Sequence, residues 1–329
     1  MDYNIYIKLT NGCNMKCSHC FNEIMGNHKM MPTSILIKSI NWIKKFIQEH
    51  PSDKMIISLF GGEPMLYDLN KITNFIEALS NLNINWTITT NLMYELTPNH
   101  LQIFNQMSAI DVKPLIKTSF DYGDIRFKNE SDKTLWIKNV QNLISNGFDV
   151  QPTICLTNYL IQNITPKEVF DFAQELGINK INFERITETG RAAENNVKPL
   201  NRETDLWICN AYDEYKKFNI KCPLFESIIQ SINHIYLGCR ERKCMEKVIT
   251  INPNGTISAC PNMANKSYGN LDRIDNSKKQ DLIDFEKQQD LECLICPYYT
   301  YCNGDCCQLK FDTSGCPGFK KLYEKLLNE

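Results

Sequence analysis

The sequence predicts an α/β protein built on a parallel sheet, and two observations indicate this class. Six short apolar segments of strand length recur over residues 4–185, and segments with helical periodicity separate them. Strands that alternate with helices form parallel sheets with right-handed crossovers. Periodicity alone leaves open whether this sheet curves into a barrel or stays open and doubly wound.

Each strand is predicted from its own apolar run. The strands cover residues 4–9, 55–60, 84–89, 115–120, 150–156 and 180–185. The first helix is predicted from an apolar stripe at Leu36, Ile40, Ile43 and Ile47. The same spacing predicts the next helices, and proline, capping-box and glycine signals mark their ends. These helices cover residues 69–79, 136–147 and 165–177, and one more begins at residue 97.

The length and the net charge of the chain limit its possible functions. The 329 residues are enough for one large and one small domain. A net charge of -2 gives no basic surface, so nucleic acid is not expected as a partner. No signal peptide and no bilayer-length apolar run is present, which predicts a cytoplasmic protein without a membrane partner. In that reducing compartment, the 15 cysteines are expected to bind metal rather than one another.

Three cysteines follow the first strand, with the spacing Cys13-x3-Cys17-x2-Cys20. Structural zinc sites and fully ligated iron-sulfur clusters take four protein ligands. Three thiolates therefore leave one coordination position for a ligand that is not protein. The alternative is a zinc site that His19 or His28 completes.

This spacing resembles the signature of the radical S-adenosylmethionine (SAM) enzymes, with His19 where many members carry an aromatic residue. The resemblance implies that the three cysteines hold a 4Fe-4S cluster whose open iron binds the amino and carboxylate groups of SAM. It also implies cleavage of SAM to a 5'-deoxyadenosyl radical, which abstracts hydrogen from the substrate. For the fold, it implies a partial (β/α)6 TIM-like barrel.

The ends of the later strands carry further candidates for SAM binding. Gly61-Gly62-Glu63-Pro64 follows the second strand, where two glycines would let the backbone approach a ligand closely and the Glu63 carboxylate could meet an ammonium group. The segment resembles the family motif that holds the SAM amino group, although such a sequence is also a common turn. Candidates that resemble other family positions around SAM, or around the substrate, are Asn91, Ser119, Asp121, Arg126 and Arg191.

A second group of cysteines lies near the C-terminus and closely resembles the SPASM extension of radical SAM enzymes. A zinc ribbon or a disulfide knot is the alternative. By position, the resemblance implies two auxiliary 4Fe-4S clusters, the first held by Cys239, Cys244, Cys260 and Cys306, and the second by Cys293, Cys296, Cys302 and Cys316. Eight thiolates leave neither cluster with an open iron, which favours electron transfer or a structural role.

The expected domains are the partial barrel over residues 1–194, a bridge over 195–235, the SPASM domain over 236–316 and a C-terminal helix over 317–329. Four cysteines remain outside the clusters: Cys155, Cys209, Cys222 and Cys307. Cys155 lies at the mouth of a predicted barrel strand and is the first candidate for a thiol that donates hydrogen to a substrate radical. The other interpretation is that all four are unreactive.

The resemblance implies a peptide or protein substrate, and we expect a maturase that forms a thioether or carbon-carbon crosslink in a ribosomal peptide. Its electron donor would be a flavodoxin or ferredoxin. No separate leader-binding domain is expected before the first strand. A peptide epimerase is an alternative, with Cys155 as the hydrogen donor. Formylglycine formation, as in anaerobic sulfatase maturases, is disfavoured because Pro261 replaces their catalytic aspartate. A zinc protein that binds partners is the non-enzymatic alternative.

Overall fold

A curved, nine-stranded sheet organises the computed structural model, which describes residues 2–22, 29–108 and 113–329. The strands are β1 Asp2–Thr10, β2 Lys54–Gly61, β3 Ile84–Thr89, β4 Leu115–Ser119, β5 Asp149–Cys155, β6 Asn182–Glu184, β7 Val248–Ile251, β8 Thr256–Ser258 and β9 Ser267–Asn270. Their order is β6-β5-β4-β3-β2-β1-β7-β8-β9, and β1 to β6 are all parallel. This parallel, open arrangement confirms the predicted α/β partial barrel.

Helices cover the outer face of the sheet. The α-helices up to residue 232 are α1 Thr33–Glu49, α2 Leu69–Glu77, α3 Pro98–Gln106, α4 Glu130–Ser145, α5 Asn158–Asn163, α6 Pro166–Glu175, α7 Arg191–Asn195, α8 Asn201–Tyr215 and α9 Pro223–Ile232. The C-terminal region adds α10 Cys244–Lys247, α11 Asn276–Lys287, α12 Leu291–Leu294, α13 Tyr299–Cys302 and α14 Lys320–Asn328. Within the described residues, no helix is both long and apolar enough to cross a membrane.

The predicted helix ends follow from local chemistry. Thr165 and Glu168 form the expected capping box at the start of α6, where the Thr165 N–H donates to the Glu168 carboxylate over 2.8 Å. Gly147 and Gly177 follow α4 and α6 with φ angles of +76° and +72°. Glycine reaches this left-handed region without steric penalty, which explains why these helices end there.

The sheet departs from the prediction on the far side of β1. β7 pairs in parallel with β1, so part of the expected SPASM region extends the barrel sheet. Sequence periodicity missed β7, β8 and β9 because each has only three or four residues. β6 is also shorter than predicted, since Lys180 pairs with Lys221 in an isolated bridge outside the strand.

The two faces of the barrel sheet differ in chemistry. Ile5 and Ile7 on β1 are fully buried in the core beneath the helices. Alternate residues point to the opposite, concave face, where the Tyr6 ring contacts the Phe60 ring at 5.5 Å between centroids. Lys8 shares this face and donates from Nζ to Asn22 Oδ1 over 2.8 Å, while burial lowers its pKa to about 8. The concave face is therefore polar enough to surround a charged ligand.

Candidate active site

The loop with Cys13, Cys17 and Cys20 lies at the carboxyl end of β1, and backbone hydrogen bonds fix both of its ends. The Gly62 N–H donates to Thr10 O over 2.8 Å, and the Glu63 N–H donates to Gly12 O over 2.9 Å. At the other end, the Arg191 N–H donates to Cys20 O over 3.0 Å. In parallel α/β proteins, this edge of the sheet carries the active site.

Gly61 and Gly62 allow this close approach. A Cβ atom on Gly61 would lie 2.3 Å from Thr10 O, and one on Gly62 would lie 2.2 Å from Gly12 O. Both distances are too short for any side chain. From the sequence, these glycines were expected to let a ligand approach, whereas the structure shows an approach to the chain's own backbone beside the cysteine loop. Pro64 begins a short 3-10 turn directly after this contact.

Glu63 connects the ends of β2 and β3. Its carboxylate has no exposed surface and accepts hydrogen bonds from the Met65 N–H at 2.9 Å, the Thr90 hydroxyl at 2.8 Å and the Asn91 N–H at 2.6 Å. Burial raises the pKa of Glu63 to about 7, although the three hydrogen bonds favour the ionised form. The carboxylate thus holds Asn91 in place from inside the protein.

Asn91 contacts the cysteine loop directly. Its Nδ2 donates to Asn14 Oδ1 over 2.7 Å and lies 3.5 Å from Cys13 Sγ. Asn91 Oδ1 accepts from the Met93 N–H, which fixes the orientation of the amide. Burial raises the pKa of Cys13 to about 11, while the Met15 N–H and the Asn91 amide favour its thiolate. A predicted SAM-binding residue therefore lies against a predicted cluster ligand.

A buried charged group lies behind Cys17. Arg126 donates from Nε to Asp121 Oδ2 over 2.7 Å, and Arg126 Nη2 lies 3.3 Å from His19 Nε2. Asp121 Oδ1 accepts the Cys155 N–H over 2.9 Å. Burial raises the pKa of Cys17, whereas the Arg126 guanidinium opposes this shift. The sequence had suggested these residues separately, and the structure brings them together.

The sequence offers His19 as a zinc ligand or as the residue at the aromatic position of the family signature, and it predicts no contact with Asp121. Its position between two cysteines was the one available sign that it lies close to the site. Its Nε2 lies 3.5 Å from Asp121 Oδ2, and burial lowers its pKa despite that carboxylate. His28, the other proposed zinc ligand, lies outside the described residues.

Arg191 and Ser119 complete the set of candidates. Arg191 donates from Nη1 to Cys17 O over 3.1 Å, so its side chain and backbone both hold the cysteine loop. Ser119 ends β4 opposite Thr153 of β5 and is partly exposed. Its place at the carboxyl edge of the sheet agrees with a position near a ligand.

The C-terminal cysteines form two groups. The Cys239 thiol contacts the thiols of Cys244 and Cys306. The Cys260 thiol lies close enough to Cys306 and Cys307 for their charges to add to burial, which raises its pKa to about 12. A separate cavity is lined by the second predicted set, Cys293, Cys296, Cys302 and Cys316. Four soft thiol donors in each set suit an iron-sulfur cluster, and binding requires the thiols to lose their protons.

The two groups of cysteines lie near the same face of β1. The thiols of Cys239, Cys244 and Cys260 lie near enough to Tyr6 for their charges to add to the burial that raises the pKa of Tyr6. Two residues further along this face, the Cys20 thiol lies near enough to Lys8 to oppose the lowering of its pKa by burial. Glu184 at the end of β6 is also close to Tyr6. The first cysteine loop and the C-terminal cysteines therefore lie on one side of the sheet.

Comparison with known proteins supports this interpretation. Residues 7–176 match the family model of the Radical SAM superfamily. The uncharacterized protein MJ0907 of Methanocaldococcus jannaschii is 23% identical over 283 residues, which are 82% of this chain and 88% of that protein. Native anSMEcpe with bound AdoMet and Cp18Cys peptide is 16% identical, with a TM-score of 0.78 over 100% of this chain and 96% of that chain.

A second solved structure shares the fold. Streptococcus suis SuiB bound to S-adenosylmethionine is 18% identical, with a TM-score of 0.69 over 96% of this chain and 77% of that chain. At these identities the solved structures show a common fold only. The family model covers just over half of the chain, and this family uses a 4Fe-4S cluster and SAM. The chain belongs to the radical SAM superfamily of enzymes.

Proposed function

We propose that this enzyme is a peptide maturase that forms a thioether or carbon-carbon crosslink in a ribosomal peptide. The observation that carries the proposal is the placement of both cysteine groups on one side of the sheet, the first near Lys8 and the second near Tyr6. Two solved structures with this fold hold a peptide, native anSMEcpe with Cp18Cys peptide and SuiB with precursor peptide SuiA. The peptides in these structures support a peptide substrate for this chain as well.

Each predicted residue has a role at the first cluster. Cys13, Cys17 and Cys20 would hold the 4Fe-4S cluster, which together with SAM supplies a 5'-deoxyadenosyl radical. Gly61, Gly62, Glu63 and Pro64 shape one wall of the SAM site. Asn91, Ser119, Asp121, Arg126 and Arg191 surround the same loop and orient the bound molecule. Because Glu63 has no exposed surface, we assign it to holding Asn91 rather than to direct contact with SAM.

The proposed crosslink removes two hydrogens from the peptide. One C–H bond breaks homolytically, and that hydrogen leaves on 5'-deoxyadenosine. The second bond that breaks is an S–H or another C–H bond, and its proton leaves to solvent or to a carboxylate such as Glu184. One electron remains after the new bond forms, and the two auxiliary clusters on the eight C-terminal cysteines would accept it. A flavodoxin or ferredoxin would supply the electron that starts each cycle in the cytoplasm.

One residue argues against the first of two alternative reactions, and another residue supports the second. Formylglycine formation needs a base after the cysteine at position 260, where Pro261 begins a 3-10 turn and offers no proton acceptor. Epimerisation needs a hydrogen donor, and Cys155 lies beside Asp121 and His19 at the carboxyl edge of the sheet. The non-enzymatic zinc protein is excluded by family membership.

Mass spectrometry tests the proposal. The reduced, reconstituted enzyme is incubated anaerobically with SAM and with peptides encoded beside its gene. We expect 5'-deoxyadenosine and a peptide that has lost two hydrogens. An unchanged mass with deuterium gained from solvent would replace crosslinking by epimerisation. SAM cleavage without any change in a peptide would reject the substrate class.

The cluster assignment has its own test. Replacing Cys13, Cys17 and Cys20 together by alanine should leave about two thirds of the iron and abolish SAM cleavage, because two of three clusters remain. SAM cleavage by this variant would overturn the assignment. Replacing the four cysteines of one auxiliary set should remove about one third of the iron, while SAM cleavage continues.

A further inference from the structure

A buried group of three charged side chains joins the barrel to the C-terminal cysteines. Asp305 forms an ion pair with one guanidinium at each carboxylate oxygen: Arg185 Nη2 lies 2.9 Å from Oδ1, and Arg240 Nη2 lies 2.9 Å from Oδ2. The side chains of Arg185, Arg240 and Asp305 are only 11%, 4% and 5% exposed. We call these three residues the charge triad. It contains two positive charges and one negative charge.

The charge triad borders cysteines of both predicted auxiliary clusters. Arg240 follows Cys239 and Asp305 precedes Cys306, and both cysteines belong to the first set. Cys302 of the second set lies close enough to the triad for all three charges to affect its pKa. Burial raises the pKa of Cys302 to about 12, Asp305 adds to this shift, and the two arginines oppose it. The charge triad therefore borders ligands of both predicted clusters.

Neutral groups accept further hydrogen bonds from the two arginines. Arg240 donates from Nε to the Tyr323 hydroxyl over 3.1 Å and from Nη1 to Ser227 Oγ over 2.8 Å. Arg185 donates from Nη1 to Pro317 O over 2.9 Å, and its guanidinium lies 4.6 Å from the centre of the Phe319 ring. These partners hold the arginines in place without cancelling their charge.

Glu184 is the other carboxylate whose field reaches Arg185, and desolvation raises the pKa of Glu184. The charge triad itself carries an excess of one positive charge. Asp305 offsets part of the repulsion between the two adjacent arginines. The Asp305 backbone has a φ of +49°, a conformation that aspartate and asparagine tolerate better than most residues. The loop that places this carboxylate is thus suited to its residue type.

We propose that the charge triad raises the reduction potentials of the auxiliary clusters, so that they accept the electron that the substrate radical gives up. This inference rests on the proposed function, because it requires both auxiliary clusters. A fixed positive charge in the protein interior stabilises the reduced, more negative form of a nearby cluster. The same three side chains fix β6 to the loop between Cys302 and Cys306, which keeps the distance to the barrel constant.

A pair of variants separates charge from packing. Arg185→Gln removes one positive charge, and Arg185→Lys keeps it while losing the planar guanidinium. In the reconstituted holoenzyme, an anaerobic redox titration followed by electron paramagnetic resonance gives the potentials of the auxiliary clusters. We expect more negative potentials in R185Q and potentials close to wild type in R185K. Equal potentials in all three proteins would overturn the proposal and leave the triad a purely structural role.

Two further measurements keep the result interpretable. Iron and sulfide analysis of the wild type comes first, and iron for a single cluster would reject the auxiliary clusters themselves rather than the role of the triad. If R185Q loses its auxiliary clusters, Asp305→Asn tests the same idea in the opposite direction. It raises the excess charge while keeping a residue suited to a positive φ, so the potentials should become more positive. A negative shift or no shift in D305N would contradict the proposal.

Discussion

Arg126 donates from Nε to Asp121 Oδ2 across 2.7 Å, and both side chains are shielded from solvent behind Cys17. Burial by itself would lower the pKa of Arg126, but the charges of Cys17 and Asp121 raise it instead. For Asp121, burial would raise the pKa, but His19 and Arg126 hold it below its usual value. The pair is therefore charged in the folded protein, and it connects the cysteine loop to the end of β5 through the Cys155 N–H.

Removing the negative member of this pair should destabilise the protein strongly. In Asp121→Asn, Arg126 remains buried without its counter-charge, which typically costs about 3–5 kcal/mol. Urea unfolding of the anaerobic protein measures the loss. The double variant Asp121→Asn with Arg126→Met removes both charges and should recover part of the stability. A double variant as unstable as D121N alone would mean that the loss comes from packing or hydrogen bonding rather than from the unpaired charge.

Glu63 should make stability depend on pH near neutrality. Its pKa is raised from 4.5 when unfolded to about 7 when folded, because burial outweighs its hydrogen bonds. Between these values the folded state holds a proton that the unfolded state has released, so the free energy of unfolding falls as pH rises. The linked change is at most about 3 kcal/mol. Chemical unfolding of metal-free protein between about pH 5 and pH 8 measures it.

Glu63→Gln provides the control, since glutamine does not titrate. Asp205 also has a raised pKa, of about 6, but it is present in both proteins. The difference between the two pH profiles therefore isolates Glu63. Parallel profiles for wild type and E63Q would show that Glu63 is already ionised throughout this range.

Gly190 should be essential for the cysteine loop. Its φ is +59°, and a Cβ atom there would lie 2.3 Å from Cys20 O, the atom that accepts the Arg191 N–H. Gly190→Ala is therefore expected to displace Cys20 and to lose about one third of the iron together with SAM cleavage. Iron analysis and the yield of 5'-deoxyadenosine measure both effects.

Gly177 is the matched control. It also has a positive φ, +72°, but a Cβ atom there would have no neighbour within 4 Å. Gly177→Ala should cost only about 1 kcal/mol of backbone strain and keep its iron. If G190A and G177A behave alike, the contact with Cys20 does not control cluster binding.

The sequence could predict those parts of the fold and site that depend on local pattern. Strands such as β2 and β3 are long enough for an apolar run, and Thr165 with Glu168 forms a capping box that can be read directly. β8 has three residues, too few for any periodicity. The grouping of the cysteines came from family resemblance, because spacing alone permits several pairings.

Long-range contacts were not predictable. Nothing near Gly62 in the sequence shows that its partner is Gly12 O, and nothing near Arg185 indicates Asp305. Glu63 was assigned to the SAM ammonium group because a carboxylate suits a cation, yet its oxygens accept from Met65, Thr90 and Asn91. Such contacts arise only when the strands are assembled, so a residue type and its position cannot reveal them.

Cys155 decides between the two peptide reactions. Its Sγ, an oxygen of Asp121 and a nitrogen of His19 all lie within 4.8 Å of one another. Burial raises the pKa of Cys155 well above its usual value, and Asp121 adds to this effect, so the group is a protonated thiol at neutral pH. A protonated thiol can donate a hydrogen atom, which epimerisation requires and oxidative crosslinking does not. Cys155→Ser keeps the size of the side chain but replaces the S–H group by an O–H group, which is a far poorer hydrogen-atom donor.

If the enzyme forms a crosslink, C155S should yield peptide that has lost two hydrogens at a rate within a few fold of wild type. Cys209→Ser, on α8 and outside both cysteine groups, is the control for general effects of the substitution. Mass spectrometry in deuterated buffer follows the peptide while 5'-deoxyadenosine is measured in the same samples. A different outcome would identify an epimerase in which Cys155 quenches the substrate radical: wild type and C209S give peptide of unchanged composition that gains deuterium, whereas C155S forms 5'-deoxyadenosine without that deuterium gain.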